Sequence, residues 1–269
     1  MRFELFVGID YSGAETPESR LKGLQVYTAR PGELPQKQRS RAPSNNGQPC
    51  NWTRKEIAEW LIELAQQGVR YIAGIDHGFS FPQSYFDRYK LTSWPQFLDD
   101  FTHHWPTDRE HTYVDFCRDP VPRPWPDWPG PGLRVGTTNE FRLCEKWTSS
   151  AKSVFQFGVQ GSVAHSTHAG IPWLRRIRQA CGNRVHVWPF DGWQLPASGA
   201  VIAEVYPSIF RKRYCHEGGT STDEQDAYAV TRWLSETEAL GALERYANPP
   251  LSASERQEAD IEGWILGVG

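Results

Sequence analysis

Apolar and polar positions alternate along the first 76 residues in a way that predicts two paired strands, a helix and a third strand. An apolar run at residues 5–9 ends in Asp10, and alternating positions at residues 24–28 predict its antiparallel hairpin partner. Apolar residues then recur at helical spacing behind a capping box at residues 53–56. The next apolar run, residues 69–75, ends in Asp76. Strand, helix and strand in this order imply a right-handed crossover, so we expect the first and last strands to be parallel.

The later pattern continues the alternation of helices and strands. It predicts a helix at residues 93–101, a helix from residue 171 to Gly182, strands at 184–188 and 199–205, and a final helix capped by Ser221 or Thr222. This order favours an α/β protein with a mixed sheet flanked by helices. We expect one domain over residues 1–269, with its core in about 1–82 and 150–269 and a large insertion at about 83–150 between the central strands.

Two loop regions carry less regular patterns. Residues 31–51 are rich in Pro, Gln, Arg, Ser and Asn and predict an exposed loop with room for a short third strand. Residues 120–131 hold alternate prolines and two tryptophans, which excludes a helix or a central strand and favours polyproline II. We interpret this stretch as a flap pinned by its Trp side chains; a peptide ligand for a Pro-recognising domain is the alternative.

Composition narrows the class of protein. The 269 residues have a formal net charge of -3, which argues against a broad basic surface for nucleic acid but not against a cleft bridged by metal ions. No run has the length of a membrane span and the N-terminus lacks a signal-peptide core, so we expect a cytoplasmic protein without membrane contact. Five cysteines without C-x-x-C spacing indicate neither a disulfide framework nor a structural zinc site.

The candidate chemistry lies in acids at the ends of strands. The tripeptide Gly-Ile-Asp occurs twice and ends at Asp10 and at Asp76, each time after a predicted strand. Carboxylates on adjacent parallel strands repel one another unless something positive lies between them. Glu204 lies in an apolar strand, where burial is costly unless it is paired or bound to metal, and Asp226 lies inside the last helix. The alternative for Asp10 is a turn cap.

Four motifs together resemble one known family. They are G-I-D-Y-S-G at Asp10, G-I-D-H-G-F-S-F-P at Asp76, E-V-Y-P at Glu204 and D-E-Q-D-A-Y-A at Asp226. Their order is similar to that of the domain of unknown function 429 family, predicted RNase H-like (RuvC-like) nucleases. The resemblance implies an RNase H-like fold in which these four acids form the catalytic site.

From these residues we predict a phosphodiester hydrolase that depends on Mg²⁺ or Mn²⁺, since carboxylate oxygens suit both ions. Asp10, Asp76 and Asp226 would be the metal ligands, and Glu204 would be a further ligand or a supporting base. Contacts to substrate phosphate are assigned to His77, Lys152 and His168, and nucleic acid is the expected partner. Two alternatives remain: an ATP-dependent phosphotransferase of the actin or sugar-kinase type, and a noncatalytic nucleic-acid-binding or adaptor protein.

Overall fold

A six-stranded mixed sheet organises the part of the chain that the computed structural model describes, which is residues 1–42, 50–118, 134–148, 150–159, 161–215 and 220–269. The strands are β1 (Leu5–Asp10), β2 (Gln25–Ala29), β3 (Gln36–Lys37), β4 (Tyr71–Asp76), β5 (Val185–Trp188) and β6 (Ala200–Glu204). Their order across the sheet is β3-β2-β1-β4-β6-β5. β2 is antiparallel to both neighbours and the other pairs are parallel, so the predicted hairpin and crossover are confirmed.

Helices cover both faces of this sheet. They are α1 (Arg54–Gln66), α2 (Gln83–Tyr89), α3 (Trp94–His104), α4 (Val114–Arg118), α5 (Leu143–Thr148), α6 (Ala164–Cys181), α7 (Thr222–Ala239), α8 (Leu243–Tyr246) and α9 (Ala253–Glu262). The predicted caps of α1, α3 and α7 are confirmed, because Thr53, Ser93 and Ser221 each accept a hydrogen bond from the backbone N–H three residues on. The mixed sheet and the helices on both of its faces confirm the α/β class predicted from the sequence.

The side-chain alternation of β1 and β4 decides which helix packs on which face. Val7 and Ile9 belong to the apolar core that includes α1 and α6. Phe6 and Ile72 belong to the second core, which includes the buried face of α7. Because successive residues of a strand point to opposite faces, the acids that end β1 and β4 lie on the α7 side.

Helix α6 corrects one prediction. The sequence placed its start at residue 171 with Pro172 in the first turn, but the helix begins at Ala164 and contains Pro172 in its interior. A proline there leaves the carbonyl four residues earlier, that of His168, without its helical donor. The hydroxyl of Thr107 donates to this carbonyl at 2.7 Å, which compensates the lost bond. The predicted end at Gly182 is confirmed by its positive φ of 52°.

Residues 83–148 contribute the short helices α2 to α5 in the ranges described. Phe97 and Phe101 of α3 pack edge-to-face on Phe81, which follows β4, so this region shares the core of the sheet. The Pro- and Trp-rich stretch at residues 120–131 lies outside the described residues. Within the described ranges, no helix is both long enough and apolar enough to cross a membrane.

Gly8 allows α7 to lie directly over β1. A Cβ atom at Gly8 would lie 2.2 Å from the carbonyl oxygen of Ala227 and 2.8 Å from the backbone nitrogen of Thr231. Because those atoms belong to the helix backbone, α7 as a whole would have to move. Both Gly-Ile-Asp motifs thus combine a close helix contact with an acid two residues later on the same face, since Gly74 similarly contacts Val230.

We predict that Gly8→Ala lowers the free energy of unfolding by about 3 kcal/mol, the upper range for overpacking a core. Gly158→Ala is the matched control, because a Cβ there meets nothing within 4 Å, and we expect it to change stability by no more than about 0.5 kcal/mol. Urea unfolding followed by tryptophan fluorescence measures both. Equal losses in the two variants would contradict the close packing of α7 on β1.

Candidate functional site

Asp10 and Asp76 are held side by side by the register of two parallel strands. β1 and β4 pair residue for residue from Leu5 with Tyr71 to Asp10 with Asp76, so both acids reach the same edge of the sheet. Their side chains act on one another: after burial, the charge of Asp76 raises the pKa of Asp10, whereas a hydrogen bond with Asp10 is the smallest cause that lowers the pKa of Asp76. Because the pKa values of both acids are raised, the pair favours holding a proton at neutral pH when no cation is present.

Burial and mutual repulsion keep protons on this pair. Burial, followed by the charges of Asp76, Asp223 and Asp226, raises the pKa of Asp10 well above its ordinary value of 3.8. Burial, followed by the charges of Asp226 and Glu204, raises the pKa of Asp76 to about 8. Both residues nevertheless keep part of their surface exposed to solvent.

Helix α7 carries Asp226, whose charge raises the pKa of both Asp10 and Asp76. These three acids are called the cluster. Asp226 is 5% exposed, and the guanidinium of Arg211 donates to both of its oxygens, from Nε to Oδ1 and from Nη2 to Oδ2. Burial raises the pKa of Asp226, and this pairing with Arg211 offsets part of the rise. Sequence reasoning missed Arg211; its only signal was a position shortly after β6, near the edge where the acids meet.

Glu204 has a different role from the one predicted. The buried guanidinium of Arg142 donates to Oε1 at 2.5 Å and to Oε2 at 2.8 Å, and the N–H of Phe79 donates to Oε2 at 2.9 Å. The same arginine binds Glu145 at 2.9 Å. In this conformation Glu204 thus resolves the cost of burial by pairing with an arginine, and we no longer assign it a place among the metal ligands.

The two histidines predicted to contact phosphate lie in the core. His77 is 2% exposed, packs on Tyr11 and Phe79, and has its pKa lowered by burial to about 4. His168 is 1% exposed, and burial lowers its pKa to about 3. Both rings are therefore neutral and enclosed, so the predicted substrate contact is corrected for each of them.

Lys152 lies closer to the acids. It lines a narrow cavity of about 20 Å³ together with Asp76, Arg142 and Glu204. This volume admits about one water molecule, so the cavity as it stands has no room for a substrate phosphate. The structure therefore brings Lys152 into the neighbourhood of Asp76, and its predicted contact with phosphate stays a prediction.

An open cleft of about 860 Å³ is lined by Asp10, by Asp223 and by the loop that follows β1. Its lining also includes His165, in the first turn of α6, which contacts Asp115 of α4 at 3.2 Å from Nε2 to Oδ1. Sequence analysis did not identify this His–Asp pair, because its members are 50 residues apart and belong to different helices. The cleft has room for a ligand of nucleotide size.

The buried Arg54 holds the loop that forms one side of this cleft. Its guanidinium is fully buried and donates to the carbonyl oxygens of Ser12 at 3.2 Å, Ala14 at 2.6 Å and Glu15 at 2.8 Å. Glu15 has a φ of 50°, an unfavourable conformation for a residue with a side chain. Arg54 therefore compensates a strained turn immediately after Asp10.

The acids fit a divalent cation in part. Asp10 and Asp76 lie side by side in the strand register and offer the hard oxygen atoms that Mg²⁺ and Mn²⁺ prefer. Asp226 is occupied by Arg211, and among residues whose placement is described no three His, Cys, Asp or Glu side chains converge on one point. A cation at the first two acids would reach a third carboxylate only after Arg211 moves.

Comparisons with protein-family models, with curated proteins and with solved structures found no match to this chain. The functional argument consequently rests on the geometry and charge of the site itself.

We predict that Asp76→Asn stabilises the metal-free protein at high pH. Because the pKa of folded Asp76 is raised, its contribution to stability is full below about pH 4 and is lost as pH rises toward about 8. The variant lacks this loss, so its advantage over the wild type should grow by about 5 kcal/mol between pH 4 and pH 8, at about 1.4 kcal/mol for each unit of pKa. Urea unfolding in the presence of a chelator measures it, and parallel pH profiles for the two proteins would refute the raised pKa.

Proposed function

We propose that this protein is a divalent-metal-dependent phosphodiester hydrolase whose cation is held by Asp10, Asp76 and Asp226. The observation that carries the proposal is the register that sets Asp10 and Asp76 side by side at the ends of two parallel strands, with Asp10 also lining an open cleft. A stable fold does not require two neighbouring acids at the edge of its sheet. Their mutual repulsion is costly, and a proton or a cation is required to remove it. Mg²⁺ and Mn²⁺ are the ions that this donor set favours.

The arrangement of the sheet supports an RNase H-like origin for this site. An antiparallel β3-β2-β1 unit continues into parallel β4, and the acids end the two central strands β1 and β4. Helix α7, which carries Asp226, crosses the same strands. These positions of Asp10, Asp76 and Asp226 support the proposal, whereas Glu204, the fourth acid of the motifs, is paired with Arg142.

The chain's own residues would bind the cation and present it to the cleft. On binding, Asp10 and Asp76 would lose the proton that the pair holds, and Asp226 would close the site from α7. When bound, the cation would activate a water molecule and stabilise the negative charge on the leaving oxygen. Arg54 would keep the loop after Asp10 in place while substrate enters the cleft.

The charge of the cleft bears on the substrate. Its lining includes the acids Asp10, Glu15, Asp115 and Asp223, and none of its described residues is a lysine or an arginine. A nucleic acid strand would be repelled by this surface unless cations bridged it. We therefore expect weak binding of DNA or RNA in a chelator and stronger binding in Mg²⁺ or Mn²⁺.

A phosphotransferase remains the second candidate, since the cleft would also accommodate a mononucleotide. The same assay separates the two functions when ATP is added as a substrate. Transfer of the terminal phosphate of ATP without cleavage of a phosphodiester would replace the hydrolase proposal.

We predict that Asp10→Asn lowers Mn²⁺-dependent cleavage by at least about 100-fold, because even residues that support metal ligands change activity by up to that factor. The assay would use bis(p-nitrophenyl) phosphate and labelled single- and double-stranded DNA and RNA. Thermal unfolding should show an intact fold, since the substitution removes one of several repelling charges.

Asp99→Asn is the matched control for this experiment. Asp99 lies on α3, its side chain is 66% exposed, and it pairs with Arg175 at 2.6 Å. We expect it to retain wild-type activity. Cleavage by Asp10→Asn at the wild-type rate would remove Asp10 from the mechanism, and an absence of cleavage by the wild type across all substrates would refute the hydrolase.

A further inference from the structure

Arg211 forms an ion pair with Asp226, one of the three acids of the cluster. It follows β6 by a short 3-10 turn, Pro207–Ile209, and its planar guanidinium meets both oxygens of Asp226. Its charge also offsets those of Asp10, Asp76 and Asp223. Arg211 thus lies where a bound cation would be expected to act.

The two partners differ in how easily they can move. The side chain of Asp226 is 7% exposed and fixed within the long helix α7, whereas that of Arg211 is 40% exposed. A half-exposed arginine gives up an ion pair at low cost, because water solvates the released guanidinium. The carboxylate of Asp226 stays buried when Arg211 leaves, so it then needs another positive partner.

We propose that Arg211 is the internal counter-ion of the carboxylate cluster and that a divalent cation must displace it from Asp226 to be bound by three carboxylates. This inference rests on the proposed function for the identity of the competing ion. It explains why Asp226 is held by an arginine beside two acids that the strand register sets side by side. The resting site is thereby neutralised without metal, and metal binding and release of Arg211 are one exchange.

If Arg211 competes with the metal ion for Asp226, removing the arginine should tighten metal binding rather than weaken it. Arg211→Met should tighten Mn²⁺ binding by at least about tenfold, because it removes a positive charge from the immediate surroundings of the incoming ion. Arg211→Lys, which keeps the charge but not the two-pronged contact, should give a smaller gain. A merely structural arginine would leave affinity unchanged or lower it when removed. Isothermal titration calorimetry with MnCl₂ measures the dissociation constants.

Arg213→Met is the matched control. Arg213 lies two residues away on the same turn and is paired with Glu236 rather than with the cluster, and its side chain is 65% exposed. We expect its Mn²⁺ affinity to equal that of the wild type. Thermal unfolding with and without Mn²⁺ checks each variant, and Arg211→Met should lose stability without metal and regain it with metal.

A second measurement follows the exchange in the wild-type protein. The Nε–H resonance of Arg211, identified by its absence in Arg211→Met, should move toward the position of a solvated arginine when Mg²⁺ is added. A resonance that stays in place while Mg²⁺ binds would overturn the exchange.

The outcomes separate this inference from the proposed function. Equal or weaker Mn²⁺ binding by Arg211→Met would refute the role of Arg211 and leave the hydrolase standing. Tighter binding without cleavage of any phosphodiester would support the exchange and refute the hydrolase. No Mn²⁺ binding at millimolar concentration by the wild type or by either Arg211 variant would refute both.

Discussion

The repulsion between Asp10 and Asp76 is the constraint on which the rest of the site depends. The parallel register of β1 and β4 places them together, and their backbones cannot separate without breaking the centre of the sheet. A proton shared between them, an arginine beside them, or a bound cation are the available ways to remove that repulsion. The elevated pKa values of both acids, the position of Arg211 and the proposed metal are three aspects of the same electrostatic problem.

The packing of the sheet explains why the cluster has its particular members. Gly8 and Gly74 let α7 approach β1 and β4 closely, and the alternation of the strands brings the following acids to the same side as Asp226. Glu204 ends the neighbouring strand β6 but is held by Arg142. Three adjacent strands therefore each end in an acid, but the acids differ in role. Asp10 and Asp76 belong to the cluster, whereas Glu204 belongs to a buried ion pair.

Local pattern predicted the features that depend on neighbours in sequence. The strands, their pairing, the helix caps and the proximity of Asp10 to Asp76 follow from periodicity and from the crossover rule. Contacts between distant segments were not predictable in this way: Arg142 is 62 residues from Glu204, and Thr107 is 61 residues from the carbonyl that Pro172 leaves free. Arg211 belongs to the same class, because only the packing of α7 brings Asp226 to it.

Crystals grown or soaked with MnCl₂ provide the most direct test of the central claim, that these acids form a divalent cation site. The account predicts an anomalous difference peak in contact with the carboxylates of Asp10 and Asp76, within the roughly 2.0–2.2 Å that oxygen ligands adopt around small divalent ions. It also predicts that Asp226 turns from Arg211 toward the peak. The account would be contradicted if the side chains of Asp10 and Asp76 were ordered and no peak lay beside them at millimolar Mn²⁺.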